Sequence, residues 1–260
     1  MNTSPLVDPY GTATCLNAAE RHRMNVQFAL HTAPLLHRAL NTIGGPAGKR
    51  LLDVGAGFGA VVSAFAPPET TPIELRLLDC NPELLNLAAD RATAAGLRTT
   101  THVGAIDQQP LPNSLCDNDL VLCSFAATHL ADLAAGLRHM TGALRPDGLL
   151  VVADVDYCAS HSQACEATAE CLAAVQDKLH VRTLSLDLPR LALQAGLRPL
   201  PGLPSGDWLH TYEGEHAVRH VALGFVGHFR EDDPAFRAWR RIRPQARLLL
   251  RRMTHIYARV

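Results

Sequence analysis

The stretch Leu51-Leu52-Asp53-Val54-Gly55-Ala56-Gly57-Phe58-Gly59 constrains this chain more than any other. An apolar strand ends in an acid, and three alternate glycines then open a helix. Glycines at that spacing let the backbone turn tightly and approach a ligand, because no Cβ stands in the way. The helix start presents unpaired N–H groups and a positive dipole end to whatever occupies the crevice beyond it. A nucleotide-like cofactor is the natural occupant. The dinucleotide fingerprint G-x-G-x-x-G is one reading, but here the glycines run G-x-G-x-G and Ala60 stands where the third would fall. Asp53, two residues before Gly55, lies outside that fingerprint and suits a ligand with an ammonium or sulfonium group.

The surrounding pattern supplies a frame. Thr12 to Leu40 reads as helix, with Ala18, Val26, Ala29, Leu30 and Leu36 on apolar faces, and Gly44-Gly45-Pro46 breaks it. Phe58 to Ala66 reads as a short buried helix. A second strand, Ile73 to Leu78, closes on Asp79. Asn81 can cap and Pro82 open the helix Pro82 to Ala95, which Gly96 ends. Further strands are expected near Thr99 to Val103, at Asp119 to Ser124 and at Leu149 to Asp154, with a helix over Ala131 to Leu144. Strands alternating with helices at this interval predict a parallel, doubly wound sheet. The second half is less regular: helices over Ser160 to His180, Pro189 to Ala195, Glu215 to Phe229 and Pro234 to Leu250, and a terminal strand over Thr254 to Val260. The organisation expected is one domain, with a helical cap (1–45), a cofactor-binding core (46–156) and a second half (157–260) containing a variable stretch at about 201–244.

Composition bounds the function. At 260 residues and 47% apolar, the chain can bury one sizeable core, and a net charge of −1 disfavours a general nucleic-acid or anionic-membrane binder. No apolar run reaches the ~20 residues needed to span a bilayer. Met1 to Ala13 has neither the basic region nor the apolar run of a secretory leader. Seven irregularly spaced cysteines read as reduced thiols, which points to the cytoplasm. The excess of arginine over lysine reads as base composition of the genome.

In open α/β sheets a ligand sits beyond the carboxyl ends of the strands, where the strand order reverses. Asp53, the glycine turn, Asp79, Asp107 and the segment Ser124 to His129 all fall there. Together with Leu77-Leu78-Asp79, Pro110-Leu111-Pro112 and Leu144-Arg145-Pro146-Asp147-Gly148-Leu149-Leu150, Leu51–Gly59 resembles the ordered motifs of the class I S-adenosylmethionine-dependent methyltransferases. The branch it is most similar to is the small-molecule one that includes the menaquinone and ubiquinone C-methyltransferases; Glu20, Arg23 and Gln27 resemble that branch's N-terminal helix motif. The resemblance runs from about Ala19 to Asp156. It implies a Rossmann-like, mostly parallel seven-stranded sheet with helices on both faces, an antiparallel C-terminal strand and a helical N-terminal cap. It also implies S-adenosyl-L-methionine as cofactor. Gly55, Ala56 and Gly57 would pass close to the methionine part, Asp53 would hold its amino group, Asp79 the ribose, and Cys80 would lie against the adenine, with Ser124 beside the cofactor. Where the family usually reads Gly-Asp-Ala, this chain has Gly104-Ala105-Ile106. Either Asp107 or backbone groups near Ile106 would then meet the adenine.

Methyl transfer from a sulfonium needs alignment and a dry pocket, and a base only if the acceptor carries a proton. His129 is the expected base. Tyr10, Gln27, Phe125, Asp156, Tyr157 and His161 are the expected acceptor wall, roofed by Tyr10 to His31 and by the variable stretch between Pro201 and Pro244. No metal site is expected: Cys158, His161 and Cys165 could offer soft ligands along a helix face but pack as readily, and His216 and His220 lack the glutamate of a zinc motif. The segment from Arg230 carries nine arginines against three acids, which reads as a solvated helix face rather than as a basic surface interleaved with aromatic stacking platforms. Partners expected are a small-molecule substrate and no nucleic acid or membrane span; the oligomeric state stays open, a homodimer included. Beside methyl transfer stand a cofactor-binding protein with another role (a cyclase or regulatory subunit), methylation of RNA, methylation of arsenic or a thiol, and an NAD-type dehydrogenase.

Overall fold

Strands that are apolar on both faces build the centre of the sheet. The computed structural model describes residues 18–65, 73–177, 179–181, 183–203, 205–226 and 233–260. Strands β1 (Arg50–Val54), β2 (Glu74–Asp79), β3 (Arg98–Val103), β4 (Asn118–Ser124) and β5 (Leu144–Gln163) lie parallel in the order β3-β2-β1-β4-β5. β1, β2 and β4 are buried almost throughout, as a two-sided parallel sheet requires. β3, Arg-Thr-Thr-Thr-His-Val, is largely exposed and forms the edge. The order reverses between β1 and β4, so the crevice opens at their carboxyl ends.

Beyond β5 runs a long antiparallel strand, β8 (Arg247–Arg259), whose outer edge carries β6 (Leu197–Pro199) and β7 (Gly206–Glu213). The sheet therefore has eight strands rather than seven, because β6 and β7 divide one edge between them. Helices α1 (Ala18–Gln27) and α2 (Ala33–Thr42) flank a π-helical turn, Phe28–Thr32. α3 (Pro82–Ala94) starts on the Asn81 side chain, which accepts the Glu83 and Leu84 N–H groups. α2 and α3 cover one face of the sheet. α4 (Leu133–Ala143), capped by Asp132, and α6 (Leu184–Gln194) cover the other. A third cluster, between the far ends of β5 and β8, gathers α5 (Glu166–Gln176), α7 (Glu215–Val226) and α8 (Pro234–Arg240). No described helix is long and apolar enough to cross a membrane.

Three expectations change. Residues 60–65 form a 3-10 segment, Ala-Val-Val-Ser-Ala-Phe, with a β-branched pair at its centre. The expected helix from Ser160 begins only at Glu166, because β5 runs on to Gln163 to pair with β8. Consequently Cys158 and His161 lie on a strand rather than on one helix face. The expected helix Pro234 to Leu250 stops at Arg240, and the terminal strand starts at Arg247 rather than Thr254. Leu248, Leu249 and Leu250 are all buried, and such a run has no period to separate strand from helix.

The glycine turn is held by packing as well as by φ. Gly55, Gly57 and Gly59 have φ of +71, +52 and +80. A Cβ on Gly59 would sit 2.9 Å from the Cα of Ala88 in α3, whereas one on Gly57 meets nothing within 4 Å. Gly59→Ala therefore adds a clash with helix backbone to the left-handed strain, and should cost about 3 kcal/mol in urea unfolding. Gly57→Ala bears strain alone and should cost about 1 kcal/mol. Equal costs would contradict this account.

Candidate active site

Residues of five elements converge on one crevice with a cavity of about 260 Å³. Its floor is the turn after β1, where the N–H groups of Gly55 and Ala56 both donate to the Leu78 carbonyl, at 2.9 and 3.0 Å. That ties the turn to β2 and leaves the following backbone facing the opening. Asp53 lines the crevice at 4% exposure. Burial, with the nearby charge of Asp79 adding to it, holds its carboxyl well above the usual carboxylate range. An acid in this state is stabilised by any cation brought beside it.

Asp79 ends β2. Its Oδ2 accepts the Gly57 N–H at 2.7 Å and its Oδ1 the Asn81 N–H at 2.8 Å. Both carboxylate oxygens are thus turned to backbone donors on the crevice wall. Cys80 sits beside it on the crevice wall. After β3, the Gly104 N–H donates to the Asp79 carbonyl, which draws the loop of Ala105, Ile106 and Asp107 over the same opening. Asp107 Oδ2 accepts from Ala131 and Asp132 at 2.7 and 3.2 Å, so this carboxylate fastens the start of α4 while lining the crevice.

The end of β4 supplies the opposite wall: Ser124, Phe125 with φ of 54, Ala126 and His129, on a 3-10 turn over Ala127–His129. That turn is held from behind. Asp154, fully buried on β5, accepts from the Thr128 N–H at 3.2 Å, the Thr128 hydroxyl at 3.3 Å and its neighbour Val155 N–H at 2.7 Å. Burial pushes the Asp154 carboxyl up to about 6, with these donors working against the shift.

The roof comes from the N-terminal helices. Gln27, Met24 and Phe28 face the cavity, and the Thr32 hydroxyl meets that of Ser124 at 2.8 Å. The π turn that carries Phe28 and Thr32 is a form often found at functional sites. Tyr157, at the bulge of β5, closes the crevice.

Two expected wall residues are elsewhere. Asp156 is buried with its carboxylate accepting the Ala159 and Ser185 N–H groups at 3.0 and 2.9 Å, so it ties the β5 bulge to α6. His161 pairs with Leu249 in the strand extension and is exposed away from the cavity. Tyr10 lies outside the described residues. Sequence reasoning missed Met24 and Phe28, although both belong to a helix it had recognised. It also missed His180, which ends the expected helix Ser160 to His180 but lies past the observed one (Glu166–Gln176), where a bond from the Val181 N–H to the Thr128 carbonyl at 3.3 Å brings it to the crevice.

Residues 52–150 match the protein family described as a methyltransferase domain. Among curated relatives, the uncharacterized methyltransferase YcgJ of Bacillus subtilis is 28% identical over 53% of this chain and 52% of its own length. The ubiquinone/menaquinone biosynthesis C-methyltransferase UbiE of Bordetella parapertussis is 33% identical over 45% of this chain and 46% of its own. The chain spans about half the length of the curated relatives it matches. The crystal structure of Bacillus subtilis YcgJ shares the fold, with a TM-score of 0.56 at 17% identity, covering 92% of this chain and 98% of that one. A geranyl diphosphate methyltransferase solved in complex with SAM shares it at 0.51 and 13%, covering 96% of each.

The Asp154 carboxyl also gives the fold a pH dependence. Between its ordinary value of 3.8 and about 6 the native state keeps a proton that the unfolded chain releases. Its contribution to stability therefore falls as pH rises through that window. Relative to wild type, Asp154→Asn should gain about 2–3 kcal/mol in unfolding free energy between pH 4 and pH 7. Whatever constant offset the amide introduces, a difference independent of pH would refute the shift.

Proposed function

We propose that this protein, whose residues 52–150 match a methyltransferase domain and which is similar to the ubiquinone/menaquinone C-methyltransferase of Bordetella parapertussis, is a class I S-adenosylmethionine-dependent enzyme that transfers a methyl group to an oxygen, nitrogen or carbon atom of a small molecule. The observation that carries the reading is Asp53: a buried carboxyl, held above its usual range, lining a crevice that opens at the switch point of the sheet.

When bound, S-adenosylmethionine supplies a methyl group on a positively charged sulfur, open to in-line displacement. The residues present fit it. Asp53 balances its ammonium, and Asp79, at the crevice wall, accepts its ribose hydroxyls. The open side of Gly57 admits the methionine portion without a Cβ in the way. Cys80, Ile106 and the Asp107 loop form the slot for the base. Phe28, Phe125 and Leu130 keep water from the reacting end. His129, half-buried on its fixed turn, takes the acceptor's proton where there is one. Gln27 and Tyr157 complete the acceptor side. A small acceptor is supported further by the fate of the arginine-rich segment: Arg241, Arg247 and Arg251 pair with Glu170, Glu213 and Asp207 at 2.6, 2.9 and 2.5 Å, with Arg241 just past α8 and the other two on β8 rather than all along one helix face.

The test is calorimetric binding of S-adenosylmethionine, followed by its conversion to S-adenosylhomocysteine with a panel of small acceptors. Asp79→Ala should weaken cofactor binding at least about tenfold. Unchanged affinity would remove Asp79 from the site, and binding without conversion would favour a non-transfer role.

Asp53 adds a second signature. Burial raises the Asp53 carboxyl and an ammonium-bearing ligand favours its ionised form, so over the pH range in which the free carboxyl is protonated, binding releases a proton and tightens as pH rises. S-adenosylhomocysteine titrated in buffers of different ionisation enthalpy should report that release in wild type, and none in Asp53→Asn.

A further inference from the structure

Two buried arginines receive opposite treatment. Arg76, 7% exposed, donates to Glu74 at 3.1 Å, to the Cys116 carbonyl at 2.7 Å and to Asn118 at 3.1 Å. Arg252, 4% exposed, donates only from Nη2, to the Tyr212 hydroxyl at 2.5 Å, with its guanidinium 5.8 Å from that ring. Its Nε and Nη1 have no hydrogen-bond partner, and no carboxylate among the described residues is paired with it. Its neighbour Arg251, by contrast, is bridged to Asp207. A buried cation left without an anion is among the costlier arrangements a fold can hold.

Its position is informative. Ser124, Ala153 and Thr254 stand side by side across β4, β5 and β8. Arg252, opposite Val155, is one pleat further toward the carboxyl ends of β4 and β5. Two strand spacings put the Thr254 backbone about 10 Å from that of Ser124, on the crevice wall. The Thr254 hydroxyl is likewise buried without a partner. On the same face, β7 presents His210 and Tyr212 with ring centroids 4.6 Å apart. The π turn spans the two places. Phe28 and Thr32 lie over the crevice, and the His31 ring meets that of His210 edge-on at 5.8 Å.

We infer that Arg252 anchors a carboxylate of the methyl acceptor, seated between the guanidinium, the Tyr212 hydroxyl and the His31–His210 pair beneath the N-terminal cap. This rests on the methyltransferase reading above and adds a substrate class to it. The charge balance selects the anion. Burial and the Arg252 charge lower His31 to about 4, and the same two causes lower His210, so both rings are neutral near pH 7. The cluster then carries a single positive charge. A carboxylate matches that charge, whereas a phosphate dianion would bring a second one with nothing to meet it.

The test uses benzoate and its neutral isostere benzamide, titrated into protein saturated with S-adenosylhomocysteine and followed by ligand-observed NMR. Benzoate should bind at least about tenfold more tightly than benzamide, and Arg252→Gln should lose that margin while holding S-adenosylhomocysteine within about twofold of wild type. Should Arg252→Gln fail to fold, Tyr212→Phe keeps the ring in place and should weaken benzoate severalfold with the cofactor affinity retained. No benzoate binding, equal binding of the two probes, or benzoate binding indifferent to these substitutions overturns the anchor and leaves the cofactor reading standing. Failure of wild type to bind S-adenosylhomocysteine overturns the reading beneath it.

Discussion

The carboxyl of Asp53, buried beside Asp79 at the ends of two adjacent strands, is the constraint around which the crevice is organised. Two acids so close in a water-poor place repel, and backbone bonds hold the turn between them. The Gly55 and Ala56 N–H groups close onto Leu78, and the Gly57 N–H closes onto Asp79. Asp79 is thereby oriented, and burial together with its neighbour's charge raises the carboxyl of Asp53. The turn that makes these bonds exists only because Gly59 lets α3 pass within van der Waals contact of it. Packing, backbone conformation and electrostatics thus meet in a span of nine residues, and a cation in the crevice relieves the one stress they leave.

That concentration explains what the sequence makes legible. A buried parallel strand closed by an acid and followed by glycines is a local pattern, as are the Asn81-Pro82 helix start and the Arg145–Gly148 turn. From them the order of elements from β1 to the start of β5, and the place of Asp53, the glycine turn, Asp79, Asp107 and the Ser124–His129 stretch on one crevice, could be read directly; Cys80 and Ile106 followed only from the family resemblance. Asp156 and His161 escaped because their placement is a matter of pairing: the four-residue bulge between Asp156 and His161 on β5 appears only against the register of β8. The apolar run Leu248–Leu250 has no period, so the extent of β8 was hidden as well. His180 reaches the crevice through one backbone bond to Thr128, and no side-chain pattern records such a bond.

The same distinction separates the donor side of the crevice from the acceptor side. The donor side is built from strand ends and their turns, where sequence neighbours are also spatial neighbours. The proposed acceptor side is assembled by β7, β8 and the π turn, segments more than two hundred residues apart at their extremes and brought together by antiparallel register and by the packing of the cap. Arg252 illustrates the consequence. In sequence it is one arginine among nine near the C-terminus, indistinguishable from Arg251 beside it. In the sheet, alternation sends Arg251 outward to Asp207 and Arg252 inward beneath the cap, and only the inward one is left without an anion. A fold arranged in this way can keep its methyl-donor machinery fixed while single substitutions on β7, β8 or the cap change what it accepts, because no strand-end acid or glycine has to move when they do.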